Sequence, residues 1–267
     1  MSMASLQKAF MLENGGVVSL VGSGGKTTLM FHLAREFAAA GDSVLTTTTT
    51  KICRPPQHQS ACVVTAGAEE PLFTQLNDLC TEHLHITAAA GHVAGHKKLI
   101  GFNPDVISTI HKANLFRWII VEADGSRRRP LKAPADHEPV IPDCTKWIIG
   151  VLGLSGVGKP LTEEWVYRHD LFAQITRLPS GDDITEAAVC EVLISGKGIF
   201  KDAPVDAVRL VFLNQADLPQ TRVAGQKIVE CLARRKTGSI RRVVVGCAGH
   251  DPAVLDWLDL NSKNGIV

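Results

Sequence analysis

Short apolar, β-branched runs alternate along the chain with stretches in which apolar residues recur every three or four positions. Val17-Val18-Ser19-Leu20-Val21 is continuous and apolar, the pattern of a strand buried on both faces. From Lys26 the apolar positions Leu29, Leu33 and Phe37 fall four apart, which predicts a helix closed by Gly41-Asp42. Residues 43–48 form a second predicted strand, bounded downstream by Pro55-Pro56. Strand, helix and strand within about 35 residues make a βαβ unit, hence parallel strands and a right-handed crossover.

The alternation continues. Strands are predicted at 61–65, 85–89, 116–122, 146–154, 208–214 and 241–246. Helices are predicted at 6–12, 69–83, 162–177, 185–195, 221–236 and 252–260, with a further start at Asn103-Pro104. Residues 91–102, rich in glycine, lysine and histidine, read as a loop or hairpin. The predicted fold class is α/β, a mostly parallel β-sheet flanked by helices and P-loop NTPase-like. No repeat or linker divides the chain, so 1–267 is expected to form a single nucleotide-binding domain.

Charge narrows the partners. Lys and Arg total 28 against 27 Asp and Glu, a net charge of +1, which argues against a general nucleic-acid binder. No apolar run reaches about 18 residues, so no membrane-spanning helix is expected. The cysteine count is seven, odd and widely spaced without a CxxC, which points to a reducing, cytoplasmic setting.

The most informative stretch is Gly22-Ser23-Gly24-Gly25-Lys26-Thr27-Thr28. Glycines let successive backbone N–H groups turn inward around an anion. A lysine reaches the terminal phosphates, a Ser/Thr hydroxyl serves Mg²⁺, and the following helix adds its positive end. The full pattern GxxxxGK[ST] calls for glycine at position 20, where this chain has Leu20. Lys26 is assigned to the β- and γ-phosphates, Thr27 to the metal, and 22–28 to nucleotide binding.

Val121-Glu122-Ala123-Asp124-Gly125 ends an apolar strand in two acids. Ligands of open parallel sheets bind beyond the carboxyl ends of the strands, and residues two apart on a strand share a face. Glu122 and Asp124 are therefore expected to hold Mg²⁺ or orient a water, and with Lys26 to carry catalysis. Arg127-Arg128-Arg129 and Lys132 follow, either pairing with phosphates or an anionic substrate or forming a solvated loop. His137 and Glu138 are weighed for metal or proton transfer, with a structural role the bland alternative. Thr46 to Thr50 and Lys51 divide between plain sheet and contact with phosphate or metal. Asn214-Gln215-Ala216-Asp217 resembles the Asn-Lys-x-Asp element that reads guanine in GTP-binding proteins, with Gln215 in place of lysine. Asn214 and Asp217 are thus candidate base ligands, and an Asx turn is the plain alternative.

Locally, the glycine loop is similar to that of Mur-type amide ligases, and Glu122 followed by small residues to a metal-binding strand end of dethiobiotin synthetase. A wider resemblance rests on GSGGKTT, TTTTTKI, VEADGSRRRPLKAPADHEPVIP, GKPLTEEWVYRHD and FLNQAD, in order from about residue 17 to 217. These motifs resemble the selenium-dependent hydroxylase accessory protein family, the YqeC type. The resemblance implies a P-loop protein that binds ATP or GTP with Mg²⁺ and works in maturation of selenium-dependent molybdenum hydroxylases. The client hydroxylase or its cofactor would then be a partner. Around Arg168 the chain reads Tyr167-Arg168-His169 where the family tends toward His-Arg. Three activities stay open: an NTPase switch; a ligase or transferase activating a small anionic substrate; and a non-enzymatic carrier of metal, selenium or cofactor using His92, His96 or a cysteine.

Overall fold

Val17 to Val21 lie in the middle of a nine-stranded sheet, which is why none of them is polar except Ser19. Ser19 bonds its hydroxyl to that of Thr145 on the neighbouring strand, 2.8 Å away. In this computed structural model, residues 5–235 and 239–260 are described. The chain runs through α1 (Leu6–Ala9), β1 (Gly16–Gly22), α2 (Lys26–Ala39), β2 (Val44–Thr48), β3 (Lys51–Cys53) and β4 (Cys62–Thr65). It continues through α3 (Glu69–Leu79), β5 (His85–Ala89), β6 (Gly91–His92), β7 (Lys98–Ile100), α4 (Pro104–Lys112) and β8 (Trp118–Glu122). Then come β9 (Leu131–Lys132), β10 (Thr145–Gly153), β11 (Val166–Tyr167), α5 (His169–Thr176) and α6 (Glu186–Ile194). The last elements are β12 (Val208–Asn214), α7 (Pro219–Arg234), β13 (Ile240–Gly246) and β14 (Val254–Asp259).

The sheet order is β14-β13-β12-β10-β1-β8-β2-β5-β4, parallel throughout except for the β13–β14 pair. The fold is therefore α/β with a large, mostly parallel sheet covered by helices. Successive side chains of β1 serve opposite faces. Val18 and Leu20 pack under α2 with Leu29, Leu33 and Phe37, while Val17 and Val21 join the cores on the other side. Phe37 stacks on Trp118 at 4.3 Å between ring centroids, and the indole N–H of Trp118 donates to Asp42 just beyond the helix. Asn103 caps α4 by accepting from the Asp105 N–H, with Pro104 in the first turn, as the sequence predicts.

Register decides where the chemistry falls. Leu20 and Thr48 both sit opposite Glu122, Gly22 opposite Val151, and Gly153 opposite Asn214. The carboxyl ends of β2, β8, β1, β10 and β12 thus reach one edge together. A small antiparallel sheet, β3-β7-β6, stands at that edge, so residues 91–102 are a hairpin.

Two predicted helices are corrected. Residues 254–259 are a strand, antiparallel to β13, because Arg242 grips Asp259 through two hydrogen bonds of 2.6 and 2.9 Å and lies over the Trp257 ring. That pairing overrides the helix predicted at 252–260. Within 162–177 only His169–Thr176 is helical. Val166 and Tyr167 pair instead with Leu131 and Lys132, and Arg168 takes a left-handed φ of 61° that stops a helix from running through it. Lys236, where the helix predicted at 221–236 ends, lies outside the described residues.

Candidate functional site

The loop between β1 and α2 is shaped by what stands behind it. Gly24 and Gly25 have φ of 76° and 129°. A Cβ on Gly24 would come within 2.4 Å of the Gly153 nitrogen, and one on Gly25 within 2.1 Å of Asn214 Nδ2. Only glycine permits both the backbone turn and the close approach. The Ser23 N–H donates to the carbonyl of Val151, the Ser23 hydroxyl to that of Pro130, and Asn214 Nδ2 to that of Gly24, 2.7 Å away. Asn214 Oδ1 accepts from the Ala248 N–H, so its amide ties the loop to the end of β13. No side chain caps α2, which leaves the N–H groups of its first turn facing outward at the positive end of the helix.

Beside the loop, charges alternate along one chain of contacts. Lys26 is 3% exposed; its Nζ donates to the Gly22 carbonyl at 2.6 Å and lies 3.1 Å from Asp124 Oδ1 and 3.9 Å from Glu122 Oε1. Thr27 Oγ1 donates to Glu122 Oε2 at 2.6 Å. Asp124 Oδ2 accepts from the Gly22 N–H and from Lys132 Nζ, both at 2.9 Å. Fully buried Lys132 also donates to the Gly125 carbonyl and to Glu138, which Arg168 grips from the far side. Three cations and three anions make this ladder neutral in sum, and partnered burial of this kind is what makes buried charge tolerable.

The ladder sets the proton affinities. Burial alone would lower the Lys26 pKa, but the Asp124 and Glu122 carboxylates outweigh it, so Lys26 stays charged and its pKa rises. Burial raises Glu122, against the pull of Lys26 and Thr27. Burial would raise Glu138 too, yet the Arg168 hydrogen bond and Lys132 bring it down to about 2. Asp124 Oδ1 is buried and accepts no hydrogen bond; only the Lys26 ammonium faces it. A hydroxyl and two acids, one with a free buried lone pair, are hard oxygen donors that fit a Mg²⁺ site shared with phosphates.

The site opens into a cleft of about 1330 Å³ along the carboxyl edge. Its floor is 24–28 and Glu122. Thr49, Thr50, Lys51, Arg127, Arg128 and Gln215 also line it. The threonine run therefore divides. Thr46, Thr47 and Thr48 are buried and spend their hydroxyls on Thr87, the Ala88 carbonyl and the Glu122 carbonyl, whereas Thr49 and Thr50 reach the cleft. His137 lines the cleft and Glu138 faces it from the ladder. Lys132, read from sequence beside the arginines as a substrate cation, is instead an internal strut. Asp217 is exposed beyond the end of β12 and lines neither this cleft nor its neighbour, which shares Thr28 and runs along α2 to Ala248 and Gly249. His92 and His96 are exposed on the β6–β7 hairpin, and no cluster of three or more metal-ligating side chains occurs among the described residues. Sequence reasoning assigned no part to Arg168 or Pro130; the left-handed turn at Arg168 carries no composition signal.

Fold and site together define the class: an α/β protein of P-loop NTPase-like architecture, its glycine loop set against an acidic strand end. The family model described as "YqeC protein" matches residues 18–170. A protein of Escherichia coli (strain K12), named "Uncharacterized protein YqeC", is 31% identical over 229 residues, covering 84% of this chain and 85% of its own. The chain belongs to the YqeC family.

Proposed function

We propose that this protein binds ATP or GTP with Mg²⁺ at residues 22–28 and hydrolyses it as an accessory factor in the maturation of selenium-dependent molybdenum hydroxylases. The observation that carries the nucleotide reading is the meeting of Lys26 and Thr27, on the open first turn of α2, with Glu122 and Asp124. The N–H groups from Gly24 to Thr28 would donate to the phosphate chain. Lys26 exchanges one of its carboxylate contacts for a terminal phosphate oxygen. Thr27, Glu122 and Asp124 are the residues that would hold Mg²⁺ there. Bound Mg²⁺ supplies charge neutralisation on the phosphates. Phosphoryl transfer needs mainly positioning and such neutralisation, which these residues are arranged to give. Asn214 holds the loop in place, and Asp217 is the proposed ligand for a guanine base. The setting in hydroxylase maturation comes from the family resemblance of the central motif.

A melting-temperature panel of ATP, GTP, CTP and UTP, each with and without Mg²⁺, tests the reading. A nucleotide at a hundred times its dissociation constant adds about 2.7 kcal/mol of stability, a shift a melting curve resolves. A Mg²⁺-dependent rise with ATP or GTP is expected; no rise with any nucleotide overturns it. Phosphate release accelerated by the metal-free client hydroxylase is expected if the maturation role holds, and release indifferent to the client overturns that part.

A further inference from the structure

The cations of the cleft fall into two populations. Lys26, Lys132 and Arg168 are each tied to a carboxylate in the ladder. Lys51, Lys98, Arg127 and Arg128 also belong to the walls or rim of the region around the cleft, and none of the four has a carboxylate within ion-pair distance among the described residues. Four positive charges lining one cleft, with no ion-pair partner among the described residues, stand out in a chain whose net charge is +1.

Their placement is built by the fold. Lys51 and Lys98 sit at opposite ends of the antiparallel β3–β7 pair, Lys51 against Ile100 and Lys98 against Cys53, on the exposed face of the small sheet. Arg127 and Arg128 line the same cleft from consecutive left-handed residues, φ of 46° and 61°, a conformation that costs roughly 1–2 kcal/mol per non-glycine residue. Arg127 lies over the Tyr167 ring at 5.2 Å, and Arg128 reaches the Cys53 sulfur on β3, 3.9 Å away. The cleft, at about 1330 Å³, also exceeds the roughly 300–1,000 Å³ that one small ligand occupies.

We infer that the part of the cleft lined by Lys51, Lys98, Arg127 and Arg128 is a second binding compartment, for a phosphate-bearing small molecule held beside the nucleotide. Guanidinium forks match phosphate oxygens in pairs, and the lysines add point charges without competing acids. The position beside a nucleotide rests on the proposed function; the compartment itself does not.

The test uses the full chain and inorganic phosphate as the probe, followed by calorimetric titration. Protein saturated with a non-hydrolysable ATP analogue and Mg²⁺ is expected to bind phosphate saturably at one site. Arg127→Gln/Arg128→Gln should weaken that binding at least tenfold while changing nucleotide affinity less than twofold, and Lys51→Gln/Lys98→Gln, on exposed positions of the small sheet, should do the same. Absence of saturable phosphate binding to the loaded wild type overturns the inference, as does an equal loss of nucleotide affinity in the arginine variant. Should the wild type bind no nucleotide, the proposed function falls and the nucleotide-free chain still decides the compartment. Phosphate binding sensitive to the arginine pair and insensitive to the charge-balanced Lys26→Met/Glu122→Gln supports it; the reverse sensitivity places the phosphate on the glycine loop and overturns it.

Discussion

Lys26 Nζ lies 3.1 Å from Asp124 Oδ1, and that oxygen has no hydrogen-bond donor of its own. The lysine that would meet a terminal phosphate is thus already holding a buried carboxylate. Ligand-free, the loop is latched: Lys26 on Asp124 and the Gly22 carbonyl, Thr27 on Glu122. On the proposed function, a triphosphate would draw both side chains away, and the acids they leave would hold its metal.

This coupling makes Lys26 a stability residue as well as a ligand. Lys26→Met keeps the side-chain volume but leaves one oxygen of Asp124 without its cation and Glu122 with only the Thr27 hydroxyl, and breaking a buried pair costs about 3 kcal/mol or more. A lowered urea midpoint is expected, together with loss of nucleotide binding. Lys26→Met/Glu122→Gln removes one charge of each sign and should recover much of the stability while still failing to bind nucleotide. Single and double variants of equal stability would show that Lys26 and Glu122 do not interact.

Glu122 alone behaves differently. Burial raises its pKa, so its ionised form is disfavoured in the folded chain. Glu122→Gln keeps an oxygen for the Thr27 hydroxyl and deletes that charge. Unchanged or slightly higher melting temperature is expected without ligand, with the Mg²⁺-dependent part of nucleotide binding reduced at least tenfold. A variant that binds nucleotide with the same Mg²⁺ dependence as wild type would remove Glu122 from the metal site.

The ladder also sets an acid limit. Arg168 and Lys132 hold Glu138 at about 2, below its ordinary 4.5. A depressed carboxylate binds fewer protons folded than unfolded, so its stabilisation is complete above 4.5 and is lost as pH falls through about 2. Urea midpoints measured downward through this window should fall, and Glu138→Gln should flatten that slope while starting from a lower stability at neutral pH. An unaltered slope in the variant would assign the acid sensitivity elsewhere.

What the sequence discloses and what it conceals divide along a physical line. The glycine loop, the apolar strand before it and the acids at the end of β8 are legible because their chemistry is local: residue type and spacing define the turn, the helix mouth and the shared face. The Lys132–Glu138–Arg168 ladder is not, because it joins a short strand, a loop segment and a left-handed turn that meet only in three dimensions. A fully buried lysine among arginines looks like one more surface cation until its two carboxylates are seen. Residues 254–259 mislead for a related reason. Their helical cue is local, whereas the β13 edge and the Arg242 fork on Asp259 that override it are not.

Asn214 and Asp217 separate scaffold from recognition. The Asn214 amide donates to the Gly24 carbonyl and accepts from the Ala248 N–H, and the residue is only 4% exposed. Asn214→Ala leaves both partners without a bond, at about 1–3 kcal/mol for each buried group, so it should lower stability and weaken ATP and GTP alike. Asp217 is exposed, and Asp217→Ala should leave the unfolding free energy within about 0.5 kcal/mol of wild type. If its carboxylate takes the two N–H groups of guanine, the variant loses GTP affinity at least tenfold and keeps its ATP affinity, because adenine presents no such pair. Equal affinities for the two nucleotides in the wild type, unchanged by Asp217→Ala, would confine this strand end to bracing the loop.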